Sequence, residues 1–154
     1  MAFLEHLKAE SERGQVLISA AMIDDLLLRT LAAFLIEGGS AHKLLTGFNA
    51  PLGTLSARIE MAAALGLISE AEHHDATIIR KVRNDFAHSL QASFKSEHIK
   101  HRCAALHFPA KDYGDVVVPP RAQFSSAATV LILNLTNRPH YAGQKRLAPQ
   151  AWPY

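Results

Sequence analysis

Between Ser11 and Glu37, apolar side chains recur three and four residues apart: Val16, Leu17, Ala20, Ile23, Leu27, Leu31, Phe34 and Leu35. That spacing predicts one long α-helix. Its apolar positions cover more than one side, so other helices must wrap it. Ser11 is a suitable cap, Glu12 suits the positive end of the helix dipole, and Gly38-Gly39 stops the run. A chain organised round such a helix is committed to an all-α bundle.

The other segments agree with that architecture. Residues 2–9 read as a short helix and 41–46 as one or two turns. GFNAPLG (47–53) is a loop. Thr54 caps a helix over 55–65, with Leu55, Ile59, Ala62 and Ala63 inward and Gly66 behind it. Ser69-Glu70-Ala71-Glu72 is a capping-box pattern, opening a helix over 70–89 on which Ile78, Val82 and Phe86 lie four apart. A helix over 96–106 follows, then a Pro- and Gly-rich connection in which Val116-Val117-Val118 suggests a short extended piece. The last helix is expected over 123–137. Residues 1–138 form the domain, and the proline-rich tail, 139–154, is expected to be irregular. The expectation is an all-α, single-domain helical bundle of five to seven helices, with the 11–37 and 70–89 helices at its centre.

With 154 residues, 49% of them apolar, the chain can bury a core of its own. No apolar run is long enough to span a membrane, and no leader pattern follows Met1. Cys103 is the only cysteine, which excludes an internal disulfide. Together these features point to a cytoplasmic protein. Charge is unevenly spread. Residues 1–79 hold five Lys and Arg against ten Asp and Glu, residues 80–107 six against two, and residues 108–154 five against two. Such a basic block suits a phosphate-rich partner. It equally suits packing of the acidic front half against the basic back half.

RKVRNDFAH (80–88) concentrates that question. Val82 and Phe86 belong to the core, while Arg83, Asn84 and His88 are polar groups near the helix end. An imidazole can move a proton, and a guanidinium can hold a phosphate and stabilise growing charge. Cleavage of RNA by its own 2′-hydroxyl needs those two functions and no metal. The other use is structural. Asp24-Asp25 lies midway along the long helix, where an aspartate pair requires a partner. Arg80 or Arg83 can supply it, and His88 can interact with carbonyls at its helix end.

Four segments extend the reading: SERG (11–14), Asp24-Asp25-Leu26-Leu27, FNAPLGTLSARIEMAAALGLIS (48–69) and IIRKVRNDFAHS (78–89). In this order and spacing they resemble the mannitol operon repressor family. The resemblance implies an all-helical bacterial domain that regulates transcription of genes for sugar-alcohol uptake. More loosely, Arg83-Asn84 with His88 is similar to the R-x4-6-H motif of the HEPN superfamily of helical, often dimeric domains. That likeness implies a metal-independent ribonuclease, or a form that binds without cutting. Arg83 and His88 would be its catalytic pair, Asn84 a supporting group, and Asp24 or Asp25 a positioning acid.

No helix-turn-helix stands out, and the 70–89 helix begins with Glu70, Glu72 and Asp75, the wrong sign for phosphates. Regulation is therefore expected through a homodimer or a protein partner rather than by direct DNA reading. RNA is the partner only under the ribonuclease alternative, where Lys95, Lys100 and Arg102 would extend its surface. His98, His101 and Cys103 have ligand-like spacing, but no second cluster completes four ligands, so no metal or other cofactor is expected. Glu72-His73-His74-Asp75 reads as a solvated first turn.

Overall fold

The computed structural model describes residues 9–154; the helix expected over 2–9 lies outside the described residues except for Ala9. Seven helices follow among the described residues: α1 (Glu12–Phe34), α2 (Gly39–Leu45), α3 (Leu55–Ala64), α4 (Glu70–His88), α5 (Glu97–Ala104), α6 (Pro120–Thr136) and α7 (Arg138–Gln144). The all-α bundle expected from periodicity is the fold found.

α1 is the axis, with α2, α3, α4, α6 and α7 packed against it. Val16, Ile23, Leu27 and Leu31 are completely buried. The wrapping is incomplete, however. Leu17 and Ile18 are exposed, as is Ala21, because no described element of this chain lies over them. α4 is the second central helix. Its Phe86 ring lies 5.3 Å from Phe94, which lies 5.5 Å from Phe124 of α6. These two contacts among three rings join α4, the segment before α5, and α6 into one core.

The helix starts follow from local chemistry. The Ser11 and Thr54 hydroxyls accept from Gly14 N and Ala57 N at 3.0 and 3.2 Å. At α4 the full capping box forms: Ser69 Oγ accepts from Glu72 N at 3.2 Å, and Glu72 Oε2 accepts from Ser69 N at 2.8 Å. Gly66, at φ +69°, provides the left-handed turn between α3 and α4.

The short extended piece expected at 115–118 amounts to a single bridge between Tyr113 and Val116, with no second strand among the described residues to extend it. One expectation is corrected: the tail is not irregular from residue 139. Its first proline sits in the first turn of α7, where a missing N–H costs nothing. Ala142 is buried, and α7 packs against α1. Beyond it, Leu147 N donates to Phe34 O at 2.8 Å and Arg146 Nη1 to Leu35 O at 2.8 Å. The tail thus supplies a backbone bond and a cation to the C-terminal end of α1, where carbonyls lack partners.

Candidate functional site

Asp24 does not pair with Arg80 or Arg83. Its partner is Arg58 of α3, whose Nη1 lies 2.8 Å from Asp24 Oδ1. Arg58 is buried and also donates to Leu52 O at 2.9 Å and Leu45 O at 3.3 Å. One guanidinium therefore ties α1, the 47–53 loop and the end of α2 to α3. Asp25 points outward and pairs with Arg29 one turn along α1, at 2.8 Å with both side chains exposed. Arg80 is half-buried and has no acidic partner among the described residues. The interhelix network anticipated at Asp24 exists, with a different arginine.

Arg83 is exposed and bonds its neighbour, Nη1 donating to Asn84 Oδ1 at 3.1 Å. It borders a groove with Asp24, Leu17, Gly53 and Thr54. His88 is also exposed, but it borders a different cavity, with Asn84, Asp85, Ser96 and His98. Five helical residues turn a side chain by about 140°. That rotation sends Arg83 and His88 apart, whereas Asn84 and His88, four apart, share a face. Within one chain the structure joins Arg83 to Asp24's groove and Asn84 to His88, and does not join the arginine to the histidine.

Asp85, unnoticed in the sequence, is the acid of the His88 cavity. Arg102 Nη1 lies 2.6 Å from its Oδ2, and His98 Nε2 lies 3.7 Å away. Arg102 is thereby an interhelix anchor between α5 and α4. His98 and Cys103 do not converge. Cys103 is completely buried, and desolvation pushes its thiol up to about 12, which keeps it protonated and unreactive as a nucleophile at neutral pH.

The start of α4 is not a solvated turn. Glu72 and Asp75 are both buried. Arg138, at the head of α7, holds Glu72 with Nη2 2.7 Å from Oε1 and Nη1 3.2 Å from Oε2, and donates to Leu67 O as well. Acidic front and basic back do meet here. Burial pushes the Glu72 carboxyl up, but the Arg138 bonds and charge and the Ser69 N–H outweigh it. The net result holds Glu72 below its ordinary value of 4.5. A lowered carboxylate pKa stabilises the fold above the unfolded value and loses that contribution as pH falls through the folded one. Urea midpoints should therefore drop below about pH 4.5, and Glu72→Gln should flatten that acid limb while lowering stability at pH 7. An unchanged acid limb in Glu72→Gln would reject this assignment.

Sequence reasoning passed over Arg58, Arg138 and Asp85, and placed Asp75 in a solvated first turn, whereas it is buried. Arg58 left one signal: it lies three residues from Leu55 and four from Ala62, on the inward stripe of its helix. A cation on an apolar stripe requires an acid opposite. Arg138 and Asp85 left none, because their partners are distant in sequence.

No family model matches the chain, and no curated protein matches it. Among solved structures, it is similar to a chain described as the "X-ray structure of the MtlR-HPr complex from Escherichia coli". The TM-score is 0.61 at 22% identity, covering 91% of this chain and 95% of that one. The chain thus has the helical fold of that MtlR-HPr structure over nearly its whole length.

Proposed function

We propose that this protein is a regulator that acts by binding a protein partner of the HPr kind, rather than by reading DNA. The observation that carries this reading is the likeness in fold, over 91% of the chain, to a protein solved in complex with HPr. The surface we assign is the open strip of α1. Ile18, Ala21, Met22 and Leu26, with Thr136 at the end of α6, border a cavity of about 470 Å³. The Asp25–Arg29 pair stands at its rim. An apolar centre with a charged edge is the anatomy of a protein interface. Leu133, one turn before Thr136, is also exposed. Direct base reading is disfavoured because the first two turns of α4 are occupied by Arg138, on Glu72, and by the 107–108 backbone, on Asp75.

HPr from the same organism should form a complex with the purified chain in calorimetry. Ile18→Asp should weaken that complex by tenfold or more, about 1.4 kcal/mol, with the helical spectrum unchanged. Light scattering on the chain alone tests whether a second copy covers the strip instead. Absence of a complex, or affinity untouched by Ile18→Asp, would remove this reading.

A second reading is favoured by one observation: Arg83 and His88 are both exposed, and neither bonds an acid among the described residues. Under it, the protein is a metal-independent ribonuclease in which two copies bring Arg83 of one and His88 of the other to one phosphate. RNA cleavage in EDTA, lost in folded Arg83→Ala and His88→Ala, is its expected result. Persistent cleavage in both variants, or none in the wild type, rejects it.

A further inference from the structure

Three of the buried and half-buried acids of the bundle pair with an arginine, while half-buried Glu12 accepts from Ser93 Oγ and Phe94 N instead. Asp24 has Arg58, Glu72 has Arg138 and Asp85 has Arg102. Asp75 is more buried than any of these, with no exposed surface, yet no Lys or Arg among the described residues reaches it. A buried carboxylate is costly unless a cation or metal faces it. Around Asp75 the groups able to do so are imidazoles. His107 Nδ1 lies 3.7 Å from Asp75 Oδ1, and the His74 and His107 rings meet edge-on with centroids 4.5 Å apart. One ligand atom from each of His74, Asp75 and His107 lies within 4.8 Å of the others.

We propose that His74, Asp75 and His107 bind one divalent transition-metal ion of the zinc type. Two imidazoles and a carboxylate are a three-ligand set that leaves further positions for water. The supports of a metal centre are already in place. Asp75 Oδ1 accepts from His107 N at 2.7 Å and Oδ2 from Phe108 N at 3.0 Å, which fixes the carboxylate and leaves lone pairs for an ion. His74 Nε2 donates to Ala105 O at 2.8 Å, so its lone pair is on Nδ1. An ion taken at Nδ1 keeps that bond, and one taken at Nε2 replaces it.

The distances suit a site that closes on its ion. Metal–ligand bonds near 2.1 Å limit two ligands to about 4.2 Å apart, and to about 3.4 Å at a tetrahedral angle. The 3.7 Å between His107 and Asp75 exceeds a hydrogen bond and lies within that limit. The His107 side chain is 54% exposed, so its ring can turn inward without disturbing the core. Binding would tie the segment after α5 to α4.

The test uses the full chain, stripped of metal and titrated with Zn²⁺ by calorimetry, and with Co²⁺ by its visible absorption. One ion per chain is expected, with the melting temperature raised by about 8 °C at 100 times Kd. His107→Ala should weaken binding at least tenfold, and so should His74→Ala. His98→Ala and His140→Ala, which are not among the three proposed ligands, should leave it unchanged. If His74→Ala does not fold, His107→Ala decides, since its side chain is largely in solvent. Failure to bind one ion, equal binding in His107→Ala, or loss in His98→Ala or His140→Ala would overturn the site.

Discussion

Arg58→Ala should destabilise the protein by about 3–5 kcal/mol, the usual cost of removing one partner of a buried ion pair. Three groups lose their donor at once: the Asp24 carboxylate and the carbonyls of Leu52 and Leu45. None has another partner among the described hydrogen bonds, and the Arg58 side chain is only 10% exposed, so water does not readily replace it. Urea unfolding measures the loss. A double-mutant cycle with Asp24→Ala should show positive coupling, because the second change removes the charge that the first left unpaired. Arg83→Ala is the contrast. Its guanidinium is in solvent, so stability should change by no more than about 0.5 kcal/mol. Equal effects of Arg58→Ala and Arg83→Ala would refute the pairing described above.

Phe86→Ala should cost about 3–5 kcal/mol as well, through a different mechanism. Phe86 is 1% exposed and is the first ring of the Phe86–Phe94–Phe124 series. Removing it leaves a cavity between α4 and the segment before α5, with the rest of the core held by its own packing. Phe86→Leu fills most of that volume and should cost less than half as much. A similar loss in both variants would mean that ring contacts, not volume, dominate.

These two residues mark what was legible in the sequence. Phe86 was readable, because Ile78, Val82 and Phe86 repeat every four residues and a helix places such residues on one face. The same local logic placed Ser11, Thr54 and Ser69 as caps, and all three accept the expected backbone bonds. Arg58 was visible only as a cation on an inward stripe, and its acid could not be chosen. Asp24 was assigned to α4, which does pack against α1, but α3 packs there too.

Pairings across sequence were the part that stayed hidden. Glu72 to Arg138 spans 66 residues and Asp85 to Arg102 spans 17. Nothing in residue type selects between Arg80, Arg83, Arg102 and Arg138 for a given acid. The tail shows the same limit. Its prolines argued for irregular chain, yet Pro139 falls in a first turn, where it fits, and the packing of Ala142 against α1 supports the helix.

By itself, then, the sequence determined the all-α class, the boundaries of α1 to α6 to within a few residues, the caps at Ser11, Thr54 and Ser69 and most of the buried faces, but not α7. Those properties depend on contacts three or four residues apart, which the order of residues specifies directly. Only the tertiary structure decided that Asp24 takes Arg58, that Arg83 and His88 face different cavities, and that Asp75 is enclosed beside two imidazoles. Each of these depends on how helices rotate against one another, and that rotation is set by the whole core at once.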